Sequence, residues 1–369
     1  MTRTEAYLVL NLLPLIGPVR VRRLLAAFGT PEAVLRARHG QIEQIDGFGP
    51  ELAVALSQWE SGIDLSRELR RIQEIGATIV TQEDANYPQP LREVYDPPLL
   101  FYVWGELLER DRHAIGVVGS RRATHYGTQS ARKLSFQLAH AGLTVVSGLA
   151  LGIDTAAHEG ALAAKGRTIA VIGSGLGKLY PPENNVLAEK IAGGHGAVVT
   201  EFPVDYNPDK QSFPLRNRIV AAWGQGLLVV EAPARSGALI TANQANDYGR
   251  TVYAVPGQID RPTSQGCNRL IQNGARLVMS ADDILEDLEW LIPPAEQKVL
   301  ALGPQRPGAV LTPEEEAVYR TLGSDEVQFD ALVERSVLPA ATVTVALMKL
   351  ELKKLVKQLP GRHFVRLVG

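Results

Sequence analysis

Residues 114–127, AIGVVGSRRATHYG, run from small and β-branched apolar residues into a glycine-bearing turn and then into a helical pattern. The same succession recurs through residue 260, with the turns SGLALGID (147–154), GSGLGKLYP (173–181), TEFPVDYNPDKQSFPLRNR (200–218), EAPARSGALI (231–240) and VPGQID (255–260). Short apolar runs alternating with helical patterns predict βαβ units, and so an α/β fold: an extended Rossmann-like parallel sheet with helices on both faces. In such sheets ligands bind where the strand ends release their loops. These loops carry Arg121, Arg122, Lys210, Arg216 and Arg218 among many glycines and few acids, which is the composition of an anion cradle.

At 369 residues the chain is long enough for two to three domains. Its hydrophobic fraction of 45% and charged fraction of 21% are ordinary for a soluble globular protein. The single cysteine, Cys267, excludes an intrachain disulfide framework and a Cys-rich zinc site. Neither a signal peptide nor a membrane-length apolar run opens the chain, so a cytoplasmic protein without a membrane partner is expected. The net charge of −2 argues against a basic coat for nucleic acid. Its distribution is more informative: residues 106–285 hold 18 Lys+Arg against 15 Asp+Glu, residues 1–75 hold 9 of each, and residues 76–105 and 286–369 are net acidic. A local basic patch on a neutral protein is compatible with nucleic-acid binding.

Four segments are expected. Residues 1–75 read as helical, with LLPLIGPVRVRRLLAAF and IDGFGPELAVALSQW as two copies of one pattern. Gly17-Pro18 and Gly49-Pro50 suit a tight turn followed by a first helical turn. This is a doubled helix-hairpin-helix (SAM-like) domain, whose amides grip phosphate in many DNA-repair proteins. The second copy places Glu51 where a phosphate would sit. Residues 76–288 form the sheet domain, entered through an aromatic, Pro-rich extension at 76–105. Residues 289–312 have the Pro/Gly content of a linker. Residues 313–369 give three helices and a Gly-containing hairpin, the order of a winged helix, with Thr312 and Glu315 as a capping box. The surface expected to read DNA, 340–345, is apolar or small, which favours protein contact.

Among the loops, GSGLGKLYP fails as a phosphate-binding P-loop. Ile172 stands where the first glycine belongs, and Leu179 where a Ser or Thr would hold Mg²⁺. It fails the dinucleotide fingerprint as well. GSRR (119–122) places two guanidinium groups at a strand's carboxyl end, suited to phosphate. KQSFPLRNR (210–218) sets cations beside an aromatic ring, the chemistry that tracks phosphates and stacks a base of single-stranded nucleic acid. The plainer reading buries Phe213 in the core and pairs the arginines with Glu201 or Glu231. His158 has no second ligand at metal spacing and reads as structural, with Asp154 and Thr155 as the helix cap. Ser147, Ser236 and Thr241 lack a readable His/Asp partner, so nucleophilic catalysis is not supported.

GSRRATHYG, VVSGLALGIDTAAHEGAL, TIAVIGSGLGKLYPPENN, FPLRNRIV, VVEAPARSGALITANQA, GRTVYAVPG and SQGCNRLIQNGA together resemble the DNA processing protein A (DprA/Smf) family over nearly all of residues 85–280. The resemblance implies a cytoplasmic, non-enzymatic protein of natural transformation, without cofactor or metal, that binds and protects incoming single-stranded DNA and helps load the RecA recombinase. Carried over by motif, the DNA site takes Arg121 from GSRR, Lys210 and Phe213 from KQSF, and Arg216 and Arg218 from RNR. The full candidate set adds Gly119, Ser120, Arg122, Gly148, Gly173, Lys178, Asn217, Ser236 and Gly237. The family's homodimer implies an interface around Asn268, Ile271 and Leu277. Two alternatives are a nucleotide-cleaving phosphoribohydrolase-like enzyme and a nucleotide-sensing winged-helix regulator. The first normally carries a PGGxGT-type loop, and this chain has ARSGALIT there.

Overall fold

The continuous apolar runs become strands with no exposed face, as expected for a sheet covered on both sides. The computed structural model describes residues 1–289, 311–322, 327–336, 338–353, 355–359 and 363–366. The expected linker lies, over residues 290–310, outside the described residues, as does the glycine of the expected hairpin turn, Gly361. The described residues fall into two compact units, one within Met1–Gly303 and one within Pro304–Gly369.

In the first unit the strands are β1 (Thr78–Thr81), β2 (Leu100–Gly105), β3 (Ala114–Val118), β4 (Thr144–Ser147), β5 (Thr168–Val171), β6 (Gly196–Thr200), β7 (Gly226–Val229), β8 (Thr251–Ala254) and β9 (Arg276–Leu277). They form one sheet in the order β1-β2-β6-β5-β4-β3-β7-β8-β9. From β6 to β9 every neighbouring pair is parallel. The 76–105 extension supplies the antiparallel pair β1–β2, which closes one edge against β6.

Alternation along the strands sorts the core into two layers. Ile115 and Val117 of β3 pack with Ala131, Leu134 and Leu138 of the helix His125–His140 and with Ala157 and Ala161 of Ile153–Ala163. Ala114 and Val118 face the other layer, with Val220 and Trp223 of Ser212–Trp223 and Ala242 of Gly237–Asp247. The amino-terminal helices share a core with the sheet: Tyr7, Leu8 and Ile72 pack with Leu100, Tyr102 and Val198. Both Gly-Pro turns open helices as expected, Pro18–Phe28 and Pro50–Ser57, with Gly17 and Gly49 as caps.

The second unit is a winged helix. Its helices Pro313–Thr321, Phe329–Ser336 and Ala340–Leu352 accompany β10 (Val327–Gln328), β11 (Val356–Leu359) and β12 (His363–Arg366), ordered β10-β12-β11. Val318, Leu332, Leu347 and Phe364 fill its core. Thr312 and Glu315 form the expected capping box, and Lys353 adds an ion pair to Glu315 at 2.6 Å. On the third helix Val345 and Met348 are exposed.

Candidate nucleic-acid interface

β3 and β7 are neighbours, yet the chain leaves β3 for β4 on one side and β7 for β8 on the other. Loops that part in opposite directions leave a crevice beyond the strands' carboxyl ends. A cleft of about 580 Å³ opens there. Its walls are residues 119–122 after β3, residues 233–238 after β7, and the first turn of Ser212–Trp223. The helices His125–His140, Ser212–Trp223 and Gly237–Asp247 each follow a strand of the parallel sheet, so their amino-terminal dipoles point to this end and favour an anion.

Glu231 joins the two main walls. Its carboxylate is buried and accepts from the Thr124 amide at 3.1 Å and the Thr124 hydroxyl at 2.5 Å. Its backbone oxygen accepts from the Ser120 amide at 2.7 Å. Gly119 lies in a tight place, where an added Cβ would stand 2.5 Å from Ile153 Cγ1 and 2.8 Å from the Glu231 carbonyl oxygen.

Arg121, Arg122, Lys210 and Arg235 are exposed on the cleft. No described carboxylate is ion-paired with them, whereas Arg167 is held by Asp111 at 2.7 Å and Arg250 by Glu93 at 3.7 Å. The Arg121 guanidinium lies 4.8 Å from the centre of the partly exposed Phe213 ring, a cation–π contact that keeps ring and charge together. Tyr180 flanks the same ring, with centroids 6.0 Å apart. Cations around a partly exposed aromatic ring can hold a phosphate and a base at once.

The floor is a buried polar layer. Arg216 donates to the Gly148 carbonyl, to the Val171 carbonyl at 2.6 Å and to Asn217 Oδ1 at 3.0 Å. Burial lowers its pKa to about 10 against the opposing pull of Asp154, which leaves it charged at neutral pH. Asp154 accepts from the Gly148 and Ala150 amides at 3.1 and 3.3 Å, and burial raises its pKa against the attraction of Arg216. Asp154 therefore does not cap its helix; Gly152 occupies that position. His158 lies beneath, fully buried, with Nδ1 2.7 Å from the Thr168 hydroxyl, as its structural reading requires. Among the described residues no group of three His, Cys, Asp or Glu is placed to hold a metal ion.

Of the residues expected at the site, the cleft gathers Gly119, Ser120, Arg121, Arg122, Lys210, Phe213, Arg216, Asn217, Ser236 and Gly237. Four stand elsewhere. Arg218 is buried and bound to Glu201 at 2.5 Å and to the Asp96 carbonyl at 2.7 Å, because two positions along a helix turn a side chain by about 200°. Arg216 and Arg218 therefore cannot share a face. Lys178 sits outside the cleft lining because Gly175 and Gly177 fold their loop beneath residues 203–205, and its charge acts on Asp205. Gly173 is behind the Phe213 ring, where an added Cβ would approach Cδ1 to 3.1 Å. Gly148 is under the floor, facing Arg216 and Asp154. Arg235 was not among the expected residues, although EAPARSG carries the same signal as GSRR: an arginine in the loop at a strand's carboxyl end.

The parallel sheet, the crevice at its switch point and the basic, aromatic-bearing walls define a Rossmann-like ligand-binding α/β protein. Residues 78–289 match the family model described as DNA recombination-mediator protein A, and residues 303–362 match the DprA winged helix domain. Protein Smf of Synechocystis is 34% identical, with 95% of this chain and 96% of the relative covered. The crystal structure of DNA processing protein A from Streptococcus pneumoniae is 35% identical with a TM-score of 0.68, covering 78% of this chain and 98% of that one. DNA processing protein A from Helicobacter pylori, in a structure concerned with its single-stranded DNA binding mode, is 29% identical with a TM-score of 0.53, covering 59% and 99%. The chain belongs to the DprA/Smf family of DNA-processing proteins.

Proposed function

We propose that the protein binds single-stranded DNA in the switch-point cleft with little base preference, and does so without catalysing a reaction. The observation that carries this reading is Arg121 set over the partly exposed Phe213 ring, with Arg122, Lys210 and Arg235 around it. Phosphates meet the cations and a base stacks on the ring, which any base can do. The hydroxyls of the cleft are engaged as helix caps and turns rather than as nucleophiles: Ser236 accepts from the Ala238 amide at 3.3 Å, and Thr241 donates to the Gly237 carbonyl at 3.2 Å. The Helicobacter pylori relative, with its single-stranded DNA binding mode, supports the assignment. No single helix among the described residues is long and apolar enough to cross a membrane, and a cytoplasmic location fits this role.

The same reading makes the protein a recombination mediator of natural transformation that protects incoming strands and helps RecA assemble on them. It acts as a homodimer. Leu277 and Met279 are exposed at and just beyond the edge strand β9, and Ile271, on the helix Gln265–Gln272, is partly buried against the sheet's core. These residues form the apolar part of the two-fold contact. Asn268 has an internal role, exchanging hydrogen bonds with Gly257 at 3.0 and 3.1 Å.

A salt-series titration of single-stranded against duplex DNA tests the binding. Single strands are expected to bind more tightly, losing roughly 0.7 log units of affinity per log unit of salt for each phosphate neutralised. Equal affinity for duplex, or binding indifferent to salt, would refute it. RecA strand exchange on DNA coated with single-strand-binding protein tests loading, and no acceleration would remove that part of the reading.

A further inference from the structure

A second hollow, of about 700 Å³, adjoins the basic cleft. It is bounded by the start of the helix His125–His140 and by residues 256–264, which follow β8. Thr263 lines both hollows, and the first turn of that helix follows directly from the GSRR loop. Tyr126 stands in the second hollow at 54% exposure. Its hydroxyl donates to the Pro256 carbonyl at 2.9 Å, which anchors the edge of the ring and leaves ring surface open. Arg261 is exposed across from it, and the hydrogen bond it makes is to the neutral Gln258 amide at 3.2 Å. No described carboxylate is ion-paired with Arg261. Glu231, the one acid in the lining, is buried with its oxygens occupied by Thr124.

The second hollow thus repeats the chemistry of the first: a solvent-accessible aromatic ring and a cation without an acidic partner. We propose that it is a second base-stacking subsite on the same DNA strand. One base stacks on Phe213, the strand passes Thr263, and a later base stacks on Tyr126 while Arg261 meets an adjoining phosphate. This proposal rests on the reading of the first cleft as a single-strand site.

The test is a titration of the full chain with an oligothymidylate of about 12 nucleotides, within the range occupied by single-strand-binding folds, across a salt series. Tyr126→Ala is expected to weaken binding about tenfold with the salt slope unchanged. Tyr126→Phe, which keeps the ring and drops the bond to Pro256, is expected to bind like the parent. Arg261→Ala is expected to lower the slope by about 0.7, one phosphate's share. If Tyr126→Ala and Arg261→Ala both match the parent in affinity and slope while Phe213→Ala binds weakly, the second subsite is wrong and the first stands. If Phe213→Ala and Arg121→Ala also match the parent, the first reading falls and takes the second with it. Should Tyr126→Ala fold poorly by circular dichroism, Arg261→Ala decides alone, because its exposed side chain is bonded to Gln258 and replacing it does not disturb the core.

Discussion

Acid should weaken the floor of the cleft through His158, and the size of the effect follows from its hydrogen bonds. The Thr168 hydroxyl has one proton, which it donates to the Val145 carbonyl at 2.7 Å. It therefore accepts from His158, which fixes the proton on Nδ1 and leaves Nε2 as a bare lone pair. Nε2 is buried and has no hydrogen-bond partner among the described residues. A proton added there would be a buried charge without an acceptor, close to the charge of Arg216. Burial, with a smaller contribution from Arg216, lowers the pKa of His158 from 6.5 to about 3. The folded state thus binds fewer protons than the unfolded chain once the pH falls below 6.5. Stability from this group is complete above that value and is lost progressively down to about 3. The loss between pH 7 and pH 5 comes to about 2 kcal/mol. Asp154 and Glu201, whose pKa values burial raises, work in the opposite sense, so the comparison must be with a variant that retains both. His158→Gln keeps an N–H to offer Thr168 and does not titrate. Urea unfolding of both proteins at pH 7, 6 and 5 should show the parent losing about 2 kcal/mol relative to the variant across that range. Parallel pH profiles would refute the assignment of a neutral, Nδ1-protonated histidine.

Three further outcomes are expected. Phe213→Ala should weaken single-strand binding by about 1–3 kcal/mol with the salt slope nearly unchanged, whereas Arg121→Ala should lower both affinity and slope; fluorescence anisotropy across a salt series separates them, and identical slopes for the two variants would contradict the division. Gly148→Ala places a methyl 2.6 Å from Asp154 Oδ2 and against Arg216, and should cost about 1–3 kcal/mol in chemical unfolding; an unchanged midpoint would mean the floor yields freely. On the proposed homodimer, Ile271→Arg or Leu277→Arg should give folded monomers, since each would set an unpaired charge in the proposed apolar contact, and sedimentation showing an intact dimer would move the interface elsewhere.

The sheet was legible because strands such as AIGVV and GLLV are apolar at nearly every position, and only a strand covered on both faces needs that. The basic and aromatic character of the cleft was legible for a related reason: in a parallel sheet the turns after the strands necessarily lie at one end. What composition could not give was the direction of each side chain. Arg216 and Arg218 look equivalent in FPLRNR, yet helical rotation sends one under the cleft and the other to Glu201. Lys178 follows a glycine-rich run that resembles a phosphate loop, but its glycines are needed for close packing against residues 203–205. The amino-terminal helices carry an apolar set sufficient for a domain of their own, so nothing in the sequence distinguished Tyr7 and Leu8, which pack toward the sheet, from Val9 and Leu10, which pack within the helices.

The Glu231 latch bears on which partner must adapt. By tying the loops after β3 and β7 to one residue, it leaves these two walls of the cleft unable to close independently over a strand. Compliance then has to come from the ligand, which must bend its own backbone to bring a phosphate and a base into a preset groove. A single strand does this within a few nucleotides. A duplex, stiff over about 150 base pairs and with its bases stacked inside, does not. On the proposed function, discrimination between the two forms of DNA would come from mechanics as much as from contacts, and substitutions that loosen the latch would relax selectivity before they removed affinity.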